Sequence, residues 1–159
     1  QGTIDPKRVC IAGVSYGGYA ALAGATLDQG VYRCAVSVAG IADLRRQVAY
    51  SSARGGGITQ RYWNRFIGAE KRGDEVFDTY SPLRLVSKVD IPILLVHGQD
   101  DTVVPLEQSR VMAEALAKAG KPHELVIHKG EDHWLSRGET RLQTLDATMA
   151  FVEKHNPPN

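Results

Sequence analysis

A hydroxyl, an imidazole and a carboxylate carried on separate loops can perform nucleophilic chemistry, and the first of these stands out in residues 9–22. Ser15 is the centre of Gly13-Val14-Ser15-Tyr16-Gly17, a G-x-S-x-G pattern. An apolar run (Val9, Cys10, Ile11, Ala12) enters it, and a small-residue helical pattern leaves it. Strand, sharp turn and helix are the context of a nucleophile elbow, whose strained backbone holds the hydroxyl above the sheet edge. The positions two before and two after the serine approach each other there, so both must lack side chains. Gly13 and Gly17 meet that need, and Gly18 with Ala21 lets the helix pack tightly on the sheet. The helix N-terminus adds partial positive charge and a free Tyr16 amide beside Ser15. The bland alternative is a glycine-rich strand–helix turn with a bystander serine.

A serine hydroxyl is a poor nucleophile at neutral pH and needs a base, itself oriented by a carboxylate. On a strand–elbow–helix architecture these follow in the order serine, acid, histidine, on loops after later strands. Of the five histidines, His133 sits in Lys129-Gly130-Glu131-Asp132-His133-Trp134 after a strand and is the expected base. Its alternative is a surface-loop histidine. His97 and His128 lie near strand ends and read as buried, hydrogen-bonded side chains, whereas His123 and His155 read as solvated. No histidine pair has helical metal-ligand spacing, so neither a metal nor another cofactor is expected. The acid falls in His97-Gly98-Gln99-Asp100-Asp101, where only one of the two adjacent aspartates can face the imidazole. The residues alone leave that choice open. Asp132 is poorly placed to orient its own neighbour and reads as a solvated loop carboxylate.

The elements that must carry these groups follow from hydrophobic pattern and turn residues. Strands are expected over 8–14, 33–39, 93–97 and 124–128, with helices over 17–27, 59–67, 81–87, 106–119 and 139–154. A further helix starts near Asp43, interrupted at Gly55-Gly56-Gly57. Thr3-Ile4-Asp5-Pro6 reads as a turn or short cap, and Pro157-Pro158 closes the chain. This order describes a parallel α/β sheet of about four strands with helices on both faces. Both candidate loops and Ser15 fall at the carboxyl ends of strands, where sites form in such sheets.

The 159 residues, 43% of them hydrophobic and carrying net charge +1, suit one domain with a real core. Near-neutral charge gives no reason to expect a nucleic-acid or membrane partner, and no apolar run approaches a membrane span. Gln1-Gly2 reads as a cut end, so the compartment expected, the cytoplasm, leaves the periplasm and secretion open. Cys10 and Cys34 lie inside expected strands without C-x-x-C spacing and read as buried thiols.

The chain resembles the prolyl oligopeptidase family of serine peptidases, in its acylaminoacyl-peptidase and dipeptidyl-peptidase branches. The resemblance rests on Asp5-Pro6-Lys7-Arg8-Val9, Gly13-Val14-Ser15-Tyr16-Gly17-Gly18-Tyr19 and Tyr80-Ser81-Pro82. It continues through residues 92–101, Val104-Pro105, Gln108-Ser109 and Gly130-Glu131-Asp132-His133. By position it implies Ser15 as nucleophile, Asp101 rather than Asp100 as the acid, His133 as base and the Tyr16 amide as one oxyanion donor. It also implies that Tyr62, Trp63 and Phe66 line a pocket for the residue before the scissile bond; the alternative is the apolar face of a packed helix. The whole of 1–159 is then expected to be the C-terminal portion of an α/β-hydrolase peptidase domain, a truncated fold without its upstream strands and β-propeller. The activity implied is hydrolysis of peptide or acyl-peptide bonds. The alternatives are a carboxylesterase with the same triad and an inactive fragment that self-associates through an exposed sheet edge.

Overall fold

The computed structural model describes residues 2 and 4–157. Gln1, Thr3, Pro158 and Asn159, which include parts of the cut end, the opening turn and the closing proline pair, lie outside the described residues. The elements run β1 (Cys10–Val14), α1 (Tyr16–Leu27), β2 (Cys34–Val38), α2 (Leu44–Ile67), α3 (Val76–Thr79), a 3₁₀ segment (Pro82–Lys88), β3 (Ile93–Gly98), α4 (Glu107–Lys118), β4 (His123–His128) and α5 (Gly138–His155). The four strands among the described residues are parallel and lie side by side in chain order. The expected architecture is therefore present. Only the single turn of α3, too short to show periodicity, has no counterpart in the sequence reading.

Alternation along the strands divides the core into two layers. Ala35, Ile93 and Leu95 pack with Leu22 and Ala25 of α1 and with Met112 and Leu116 of α4. Cys34, Val36, Val38, Leu94 and Val96 pack instead with Phe151 of α5. Helices on both faces explain why β2 and β3 are buried at every position and read as continuous apolar runs. β1 and β4 are the sheet's two edges, so the β1 edge has no strand neighbour among the described residues.

The long α2 is two helices in one. Asp43 caps its start, accepting from the Arg46 amide, and Gly68 ends it in a left-handed conformation. Gly56, at φ 62° and ψ −154°, breaks it within the triple glycine, as expected. Leu44 and Val48 of its first half pack with Tyr19, Phe77 and Val104, which docks α2 beside the loop after β3.

The cysteine reading is corrected by the strand register. Cys10 and Cys34 stand directly opposite each other on β1 and β2 and are joined by a disulfide, with Cα atoms 4.7 Å apart. That separation is within the reach of a bridge. Pairing of neighbouring strands, which sequence spacing does not display, brings them together.

The two elbow glycines also prove unequal. A Cβ on Gly13 would lie 2.2 Å from the Gly17 carbonyl oxygen, whereas one on Gly17 meets nothing within 4 Å. The expected close approach is real, but backbone atoms of Gly17 make it. Gly18 is required as expected, since its Cβ would lie 2.8 Å from Gly40 Cα. In denaturant unfolding, Gly13→Ala is therefore expected to cost about 3 kcal/mol, because the clash is with backbone. Gly17→Ala, in the first turn of α1, leaves stability unchanged or raises it by up to about 1 kcal/mol.

Candidate active site

Ser15, the loop of Asp101 and the loop of His133 follow β1, β3 and β4 at one end of the sheet. Ser15 sits at the start of α1 with φ 59° and ψ −119°, a conformation that residues with a Cβ rarely adopt. Two hydrogen bonds hold it there. Its amide donates to the Val38 carbonyl at 2.8 Å, and the Tyr19 amide donates to its carbonyl at 3.0 Å. Tyr16 is the first residue of α1, so its own amide has no acceptor within the helix.

The loops after β3 and β4 are stitched together. Gln99 donates its amide to His128 and Asp100 donates its amide to Glu131, both at 2.9 Å. Gly98 permits this, since a Cβ there would lie 2.5 Å from the Glu131 carbonyl oxygen. His133 thereby comes to lie between the other two groups. The Ser15 hydroxyl donates to His133 Nε2 at 3.0 Å, and Nδ1–H donates to Asp101 Oδ2 at 2.7 Å.

Asp101 and His133 are only 6% and 5% exposed. The other Asp101 oxygen accepts from the amides of Val103 and Val104 at 2.8 and 2.9 Å. Burial pushes the Asp101 carboxyl up, but hydrogen bonds from His97, His133 and the Val104 and Val103 amides outweigh it and hold the group below its ordinary value. In the neutral ring, a carboxylate acceptor at Nδ1 selects the tautomer with the proton there, which turns the Nε2 lone pair toward the hydroxyl. Such an imidazole can take a proton from Ser15 as its oxygen attacks an electrophile. Asp100 is exposed, and Asp101 is the aspartate that meets the ring. Asp132 is half-buried rather than solvated. It accepts from the Trp134 amide and from Ser136, fixing the loop's backbone instead of touching the imidazole.

The family model for the prolyl oligopeptidase family matches residues 1–157. The chain belongs to that family. It is 30% identical over 158 residues to dipeptidyl peptidase 4 of Felis catus, covering 97% of this chain and 19% of that protein. Among solved structures it is similar to a puromycin-hydrolyzing peptidase of Mycobacterium tuberculosis, with 31% identity, a TM-score of 0.90, and coverage of 99% of this chain and 23% of that one. Acylaminoacyl peptidase of Pyrococcus horikoshii shares 26% identity at a TM-score of 0.84, over 98% of this chain and 25% of its own. The chain thus spans about a fifth of the length of the relatives it matches. No described helix is long and apolar enough to cross a membrane.

In this prolyl oligopeptidase-family chain the three aromatic candidates part company. Trp63 is half-buried and packs against the Tyr19–Phe77 core. Phe66 and Tyr62 are 48% and 61% exposed, stack on each other, and line a groove with Arg65. Phe66 also meets the ring of Tyr16, the residue after Ser15, edge to face at 5.2 Å. One aromatic thus packs on the core, while Phe66, with Tyr62 stacked on it, is exposed and touches the residue after Ser15.

Sequence reasoning missed the groups that hold the site from behind. His97 was legible only as a buried histidine, and Gln108 and Ser109 only as matching positions. Gln108 accepts from the Ala42 and Asp43 amides and donates to the Asp43 carbonyl, tying α4 to the start of α2. Glu131 is buried and accepts from the Thr140 hydroxyl and the amides of Asp132, Ser136 and Arg137. A carboxylate two residues before a histidine, ahead of a helix, was the available signal.

The Thr140 hydroxyl foremost, then the Asp132, Arg137 and Ser136 amides, prevail over burial and hold the Glu131 carboxyl below its ordinary 4.5. A depressed folded value stabilises the fold above the unfolded value and ceases to do so as pH falls through the lower one. Wild type is therefore expected to be more stable than Glu131→Gln at neutral pH, with the gap closing below pH 4.5. Chemical unfolding of both proteins across that range measures it.

Proposed function

We propose that this chain carries the catalytic groups of a serine peptidase, with Ser15 as nucleophile, His133 as general base and acid, and Asp101 as the orienting carboxylate. The single observation behind this reading is the unbroken hydrogen-bonded path Ser15–His133–Asp101. Ser15 Oγ attacks the carbonyl carbon of a peptide or acyl-peptide bond while His133 Nε2 takes its proton. Asp101 stabilises the imidazolium, and the Tyr16 amide donates to the developing oxyanion. The C–N bond breaks as His133 returns the proton to the leaving nitrogen, which leaves an ester on Ser15. Water then attacks that ester, passing a proton through His133. The carboxylic acid departs and the hydroxyl is restored.

Phe66 and Tyr62 form the wall on which the residue before the scissile bond rests, and the core-facing Trp63 supports that wall. Phe66→Ala is expected to lower kcat/KM about 10-fold for substrates with a large apolar residue there, and to spare glycine at that position. The peptidase names of the relatives favour amide over ester substrates. Their length favours reading residues 1–159 as a portion of an α/β-hydrolase peptidase in a longer protein. The Cys10–Cys34 bond weighs against a cytoplasmic location, because disulfides persist in oxidising compartments. Hydrolysis of a peptide anilide alongside the matching ester tests the reading: cleavage of both supports a peptidase, and cleavage of the ester alone points to a carboxylesterase.

A further inference from the structure

Behind the Ser15–His133–Asp101 path lies a second imidazole that the mechanism above does not use. His97, on β3 four residues before Asp101, has no solvent exposure. Its Nδ1 lies 2.7 Å from the Ser109 hydroxyl of α4. Its Nε2 lies 2.9 Å from the Val104 carbonyl oxygen and 3.4 Å from Asp101 Oδ2. Both neighbours of Nε2 are acceptors, so in the neutral ring the proton belongs on Nε2, and Nδ1 accepts from Ser109. Val104 contributes both of its backbone groups here: its carbonyl faces His97 Nε2, and its N–H donates to the other oxygen of Asp101.

We propose that His97 is a positioning residue for the acid of the triad, set in its tautomer by Ser109 and holding Asp101 in the plane from which it meets His133. It acts in two ways. The Nε2–H, bonded to the Val104 carbonyl, also presents its positive end 3.4 Å from the oxygen that already accepts from His133 Nδ1. It also holds the Val104 carbonyl, and so the residue whose amide fixes the opposite oxygen. A buried carboxylate with donors on both oxygens cannot rotate without leaving one of them unpaired, and an unpaired buried donor is costly. Ser109 links this arrangement to α4, so the position of the acid is tied to the packing of a helix rather than to the loop alone.

The inference rests on the functional reading above, and the test separates the two. The chain is reacted with a fluorophosphonate probe, in which Ser15 Oγ bonds to phosphorus and fluoride leaves. Rates are compared for wild type, His97→Leu, His97→Gln and Ser109→Ala. His97→Leu fills the volume without a donor and is expected to react about 10- to 100-fold more slowly. His97→Gln places an amide N–H where Nε2 stood and is expected to stay within about 3-fold of wild type, a rescue that a packing role would not give. Should His97→Leu fail to fold, Ser109→Ala carries the comparison, with a loss of about 3- to 10-fold expected. Equal rates in wild type and these variants overturn the proposal, as does a glutamine variant as slow as leucine.

If wild type itself does not react, the functional reading fails, and the positioning role is read from the His133 Nδ1–H proton by NMR. That signal is expected in wild type and His97→Gln and absent in His97→Leu. Its persistence in His97→Leu overturns the inference independently of activity.

Discussion

Replacing His133 by alanine is expected to lower peptide hydrolysis about a million-fold, to the same floor reached by Ser15→Ala and by the double variant. The size follows from the site's economy of bases. The Ser15 hydroxyl has its imidazole partner at 3.0 Å. The other buried imidazoles are committed elsewhere: His97 to Ser109 and Val104, and His128 to Thr144. Without Nε2 the hydroxyl must lose its proton to water, and the leaving nitrogen must depart unprotonated. Because the two residues act as one unit, the effects do not add. Steady-state kinetics on all three variants measures this. A double variant far below either single one would contradict a shared step.

The second large effect is expected at Asp101. Asp101→Asn should lower kcat about 10,000-fold, while Asp100→Asn stays near wild type. Each carboxylate oxygen of Asp101 serves as an acceptor: one takes the Val103 and Val104 amides, the other the N–H of His133, with His97 Nε2 3.4 Å from it. An asparagine offers one oxygen and one NH2, so whichever way it turns, a donor faces donors. If the NH2 faces the rings, His133 is driven to the tautomer with its proton on Nε2, pointing at Ser15 and unable to take a proton. If it faces the Val103 and Val104 amides, the loop itself is disturbed. Asp100 is exposed and shares none of these contacts. Comparing kcat with KM for the two neighbours distinguishes a tautomer effect, which falls on kcat, from a loss of folding.

The elbow was the most legible part of the chain, because its demands are local. A strand, a glycine before the serine and a small-residue helix are all visible within residues 9–22. The sheet was legible for a similar reason: strands covered on both faces are apolar throughout, as β2 and β3 are. What the sequence concealed depends on contacts between distant segments. The Cys10–Cys34 bond needs the β1–β2 register. The unequal roles of Gly13 and Gly17 need the path of the backbone through the turn. The choice of Asp101 over its neighbour came from resemblance; the two amides bonded to it and the two imidazoles beside it are contacts that the sequence does not display. Asp132 looked solvated because an Asx-type turn to Trp134 and Ser136 has no periodic signature.

The most direct test of the central claim is covalent labelling with a fluorophosphonate followed by peptide mapping, on the wild-type chain and on His133→Ala. The expected result is a single phosphonylated peptide modified at Ser15, with labelling lost in the variant. Labelling at another residue, or labelling of Ser15 that survives removal of His133, would contradict an assembled Ser15–His133–Asp101 site.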